Sequence, residues 1–133
     1  MSKQTICLVT LVLSCLAPKV LAAESKRLVF ICHKGLNYSM QEVQFAFKGY
    51  LDEPRPIDNR PLFKEMLNFI GYTDLRYKRV WSKMFFRRGL FKPRVVATDE
   101  EVIQWVSASY AGVGYVSVAP QDHPNVEICG NEE

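Results

Sequence analysis

The run from Thr98 to Val118 leaves the chain the least freedom. Thr98 is followed three residues later by Glu101, a spacing at which each residue can satisfy the other's backbone N–H, so a helix is predicted to start here. Val102, Ile103, Val106 and Tyr110 then recur on one helical face, with Trp105 at its flank. Ala111-Gly112-Val113-Gly114-Tyr115-Val116 follows: two glycines that end the helix, then β-branched and aromatic residues that favour a strand. A helix returning directly into a strand predicts an α/β domain.

The N-terminus reads differently. Lys3, an apolar run from Ile6 to Ala17 and small residues at Ala22-Ala23 describe a secretory signal peptide over residues 1–23, too short for a comfortable membrane anchor. A lipoprotein site at Val12-Leu13-Ser14-Cys15 is the weaker match. Residues 24–133 form the predicted mature domain, with no transmembrane segment and a periplasmic or secreted location. Lys3 and Lys19 leave with the signal, so the formal charge falls from +3 to about +1 and gives no general case for nucleic acid. Cys7 and Cys15 leave too. Cys32 and Cys129 remain, a candidate disulfide in an exported chain. With two histidines and no ligand spacing, no metal site or cofactor is expected.

The mature chain opens on Leu28-Val29-Phe30-Ile31-Cys32, a strand buried on both faces by its unbroken apolarity. Asn37 marks a loop, and Ser39 with Glu42 forms a second capping box, whose helix carries Met40, Val43, Ala46 and Phe47 on one face. Strand, loop and helix N-terminus in that order can hold an anion, which makes Asn37 and Ser39 candidates. Pro54, Pro56 and Asp58 suggest a loop or short edge strand. Asp58-Asn59-Arg60-Pro61, just before the next helix, is the one chemically suggestive stretch, where an arginine and an amide can grip an oxyanion. Phe63, Met66, Leu67 and Ile70 give that helix one apolar face. Thr73 opens another, carrying Tyr77, Val80, Trp81, Met84 and Phe85 on its apolar side. Eight cations lie between Arg76 and Arg94 with no acid among them. Arg76, Arg79, Lys83, Arg87 and Arg88 are read either as a solvated helix face or as a docking patch for an acidic partner or anionic lipid. No nucleophile elbow, P-loop or dinucleotide fingerprint is present. Cys32 and His33 are strand neighbours that point to opposite faces, so they form no nucleophile–base pair.

Three segments together resemble the periplasmic-binding-protein-like family of phosphate ABC transporter substrate-binding proteins. They are the second lobe's opening strand, turn and "(S/T)xxE" helix ending in Ala46-Phe47-Lys48-Gly49, the order Trp81, Phe86, Gly89, Pro93, and the capped helix into "GVGYV". The resemblance covers residues 27–118, about one lobe of a type II binding protein. It implies a single three-layer α/β domain, a small mixed sheet flanked by helices, acting without catalysis as an exported binder of phosphate or a similar oxyanion. Asn59 and Arg60 match the family's "NR" at a ligand-binding helix start, but its Gly-Ser run is absent and Pro61 removes a donor. Binding weaker than the family's is therefore expected. The alternative is a ligand-free envelope module that docks another protein through the basic patch.

Overall fold

Val29–His33 forms β1, buried along its middle, in a computed structural model that describes residues 26–130. The signal segment at 1–23 lies outside the described residues. After β1 come α1 (Met40–Phe47), β2 (Arg55–Asn59), a 3-10 turn (Arg60–Leu62), α2 (Phe63–Ile70), α3 (Asp74–Arg88), β3 (Arg94–Val96), α4 (Asp99–Ala108), β4 (Gly112–Val116) and β5 (Val126–Ile128). The sheet order is β3-β2-β4-β1-β5. β2 runs parallel to β3 and β4, whereas β1 is antiparallel to β4 and β5. The sheet is thus mixed, and the domain is α/β.

Both capping boxes form. The Ser39 hydroxyl accepts from the Glu42 N–H at 3.1 Å while Glu42 accepts from the Ser39 N–H at 2.9 Å. Thr98 and Glu101 repeat the exchange at the start of α4. Each cap satisfies donors that the helix itself leaves open, an effect of about 1 kcal/mol. Gly71 and Gly89 end α2 and α3 in the left-handed region, at φ 76° and 69°, where a side chain would be strained.

Helices cover both faces of the sheet. Phe30, Cys32, Val113 and Tyr115 pack with Phe47, Met66, Ile70, Tyr77 and Trp81 from α1, α2 and α3. The Trp81 indole N–H donates to the Phe47 carbonyl at 3.2 Å and so ties α3 to α1. On the other face Ile31, Ile57 and Val116 meet Val102 and Val106 of α4. Period-2 alternation along β1 sends Phe30 and Cys32 to one core and Ile31 to the other, as a strand buried on both faces requires. His33 follows the same alternation: its Nδ1–H donates to the Val106 carbonyl at 2.9 Å, away from Cys32. Cys32 and Cys129 are joined by a disulfide.

The segment expected to be a loop or edge strand is an interior strand. β2 tolerates Pro56 because β3 pairs only from Ile57 onward, and the Arg55 N–H already bonds to the Ala111 carbonyl on the β4 side. The next N–H along the strand would point to the opposite side, where no partner has yet begun. Three side chains placed in apolar stripes are exposed. Met40, the first residue of α1, is 37% accessible. Tyr110, beyond the end of α4, is 72% accessible and Phe85 is 43% accessible. At about 1.5 Å per residue the 15-residue α3 spans roughly 22 Å, longer than a five-residue strand at about 16 Å, and its last turn carries Phe85 and Phe86 exposed.

Gly114 lets α4 approach β4. A Cβ there would meet Val102 Cγ1 at 2.5 Å and Ile57 Cγ2 at 2.9 Å. Both are buried branched side chains with no room to retreat. Gly114→Ala is expected to cost about 1–3 kcal/mol by overpacking, read as a lower urea midpoint at unchanged slope. A variant as stable as the parent would show that α4 can shift outward freely.

Candidate functional site

Parallel strands β2 and β3 end beside the start of α2, and this is where polar groups gather. Asp58, the fourth residue of β2, is 1% accessible. Its two carboxylate oxygens accept from the Tyr77 hydroxyl at 2.9 Å and the Tyr115 hydroxyl at 2.8 Å. Burial pushes the Asp58 carboxyl up to about 7, against the lowering influence of those hydroxyls and of Lys92. Both tyrosines are themselves pushed upward by burial and then by the Asp58 charge, so they stay protonated donors. Asp58, Arg60, Asp74, Tyr77, Lys78 and Lys92 line a cleft of about 430 Å³ against the β3 edge. Lys78 lies 3.6 Å from Asp74, a surface pair at i, i+4. Arg60 and Lys92 make no ion pair among the described residues.

Asn59 turns the other way. It is fully buried, and its Nδ2 donates to Asp99 Oδ1 at 2.9 Å and to the Tyr115 carbonyl at 3.0 Å. Both amide N–H groups are therefore taken, and none is left for a ligand. Asp99 in turn accepts from the Ser117 N–H at 3.0 Å and hydroxyl at 2.7 Å. Burial works to raise the Asp99 carboxyl, but the hydrogen bonds from Ser117 and Asn59 outweigh it and hold it below the usual carboxylate range. This chain of bonds fixes the start of α4 to the ends of β2 and β4. Its action is positional.

The four candidate ligand residues do not meet. β1 is antiparallel to β4, with Cys32 opposite Val113, while β2 is parallel to β4, with Arg55 opposite Gly112. The end of β1 is therefore level with the beginning of β2. Asn37 and Ser39 sit at one end of the sheet and Asn59 and Arg60 at the other, roughly 15 Å apart along five strand residues. The Ser39 hydroxyl is occupied by its own helix. Of the four, only Arg60 lines the cleft.

The basic patch is also divided by its surroundings. The Arg76 guanidinium stacks on the Tyr72 ring at 4.4 Å, and Arg88 pairs with Asp52. Arg79, Lys83 and Arg87 project from α3 without an ion-pair partner among the described residues. From the sequence, Asp58 stands in the suggestive stretch without a role, Lys78 and Lys92 only in the basic run, and Tyr77 only on an apolar helix face. An acid next to the last residue of a strand that feeds a helix is the signal that could have found Asp58. Among the described residues no cluster of His, Cys, Asp and Glu could hold a metal ion, and no helix is long and apolar enough to cross a membrane.

Set against known proteins, the chain matches no protein-family model, no curated protein and no solved structure.

Proposed function

We propose that the chain is an exported, non-enzymatic oxyanion-binding module, similar to a single lobe of the phosphate-binding transporter family, with its site in the cleft beside Asp58. The observation that carries this reading is the convergence of Arg60 and Lys92, neither in an ion pair among the described residues, on a cleft whose wall holds a protonatable buried acid. Arg60 offers a bidentate grip on two oxygens of a tetrahedral anion, and Lys92 adds a point charge. Asp58 sets the sign of the third contribution. Protonated and neutral, it leaves the two cations unopposed; ionised, it repels the anion. The disulfide supports an oxidising compartment.

The cleft is open to water and has few donors, so a dissociation constant of about 1 mM, near 4 kcal/mol, is expected. Sulfate is the discriminating probe, because its own charge stays constant where Asp58 titrates. Calorimetric or NMR titration should show sulfate binding about tenfold tighter at about pH 5.5 than at about pH 8, a difference near 1.4 kcal/mol. Arg60→Ala should weaken binding at both pH values, and Asp58→Asn should remove the difference between them. Saturation by sulfate that ignores both substitutions would move the site elsewhere. No saturable response to sulfate or phosphate would end the reading.

A further inference from the structure

The C-terminal end of α3 carries a second surface, which meets the Asp58 cleft at Lys92. Phe86 is 83% accessible and Phe91, just past the helix, is 77% accessible. Phe85 joins them, its ring centroid 5.4 Å from that of Phe86 and 5.3 Å from that of Phe91. Three clustered phenylalanines held in water give up the burial that drives large apolar side chains inward. Around them stand Lys83 and Arg87, and no acid occurs anywhere between Arg76 and Arg94.

We infer that this aromatic and basic tip docks on an anionic lipid surface. Charge complementarity supplies the first argument. Lys83, Arg87 and Arg79 make no ion pair among the described residues, and Asp52, the acid beside Phe91, is held by Arg88, so headgroup phosphates can meet these three positive charges. Shape supplies the second. Phe85 and Phe86 stand at the end of the helix over an open depression of about 270 Å³, and Phe91 also edges a neighbouring groove of about 400 Å³ beside Trp81 and Trp105. A protruding ring suits the headgroup boundary of a bilayer, where aromatic residues insert shallowly while neighbouring lysine and arginine stems reach back to phosphate. Ionic attraction brings the tip to the surface, and Phe86 and Phe91 hold it there.

Co-sedimentation of the full chain with lipid vesicles tests this. Binding is expected to phosphatidylcholine vesicles containing one part in three phosphatidylglycerol, not to phosphatidylcholine alone, and is expected to fall as salt rises. Lys83→Gln with Arg87→Gln should lower the partition coefficient roughly fivefold per charge. Phe86→Ser with Phe91→Ser should lower it about tenfold or more. All four side chains are exposed, so the melting temperature should stay close to the parent's, and sulfate titration should be unchanged because none of them lines the Asp58 cleft. Absence of binding to anionic vesicles overturns the inference. So does binding that survives loss of both phenylalanines, which would mean unspecific charge attraction. Equally strong, phenylalanine-dependent capture by poly-glutamate would assign the tip to an acidic protein instead.

Discussion

Replacing Cys32 and Cys129 together by alanine is expected to remove about 4–5 kcal/mol of stability, because the bond between them closes a loop across a sequence separation of 97 residues. In the chain-entropy picture, the disulfide acts by denying the unfolded chain most of its extended conformations, and the effect grows with the logarithm of loop length. A domain of this size has only about 5–15 kcal/mol in total, so the loss is a large fraction of what holds it folded. The structure adds a local reason. β5 has three residues and pairs only with β1, through Ile31, Cys32 and His33. The Cys129 N–H bonds to the Phe30 carbonyl at 2.9 Å, and both sulfurs sit in the core shared with α1. Without the cross-link, a three-residue edge strand must hold its register unaided. Urea unfolding of the oxidised protein, the reduced protein and the double variant should give one high and two low midpoints. Hydrogen exchange should report early opening at Ile128 and Cys129. Coincident unfolding curves for the oxidised and reduced proteins would show that β5 contributes nothing to the cooperative unit.

Features fixed by neighbours in sequence were legible before the fold was known. Ser39 and Glu42, or Thr98 and Glu101, are three residues apart, and each capping box forms as its letters suggest. The doubly buried β1 follows from an unbroken apolar run, and the return of α4 into β4 follows from the two glycines. What stayed hidden depends on contacts between distant segments. Pro56 looked like an edge signal because nothing local shows that β3, some 40 residues on, arrives one residue after the proline. Phe85 has the spacing of a core residue, but spacing does not reveal which turns of the helix find a partner to pack against. Asn37, Ser39, Asn59 and Arg60 each sit beside a helix start, yet strand direction decides whether such starts converge, and in a mixed sheet these do not. Asp58 is the sharpest case. Its partners lie 19 and 57 residues away, and only the folded sheet brings both hydroxyls to one carboxylate.

Asp58 also governs the largest expected response to pH. Its carboxyl titrates at about 7 in the folded protein, against 3.8 for a free side chain. Between these values the folded state holds a proton that the unfolded state has released. Stability must then fall as pH rises, since its slope follows the protons bound by the unfolded state minus those bound by the native one. The contribution is fully present below about pH 4 and is lost as pH passes through about 7, a change of about three pH units or roughly 4 kcal/mol. Asp99 has the opposite sign: its lowered carboxyl adds stability that disappears in acid, below the window in which Asp58 acts. Tyr77 and Tyr115 stay protonated throughout and add no slope of their own. Urea midpoints at about pH 4.5 and about pH 7.5 should differ by several kcal/mol in the parent and by far less in Asp58→Asn, which keeps a carbonyl oxygen for one tyrosine hydroxyl and cannot ionise. Tyr115→Phe should steepen the parent's slope, because removing one of the two donors makes the buried charge harder to hold. A parent protein whose stability is flat or rises between those pH values would mean that Asp58 is ionised and well solvated in the folded state. The acid beside the cleft would then oppose oxyanions at every pH, so this measurement also decides whether the cleft can do what Arg60 and Lys92 suggest.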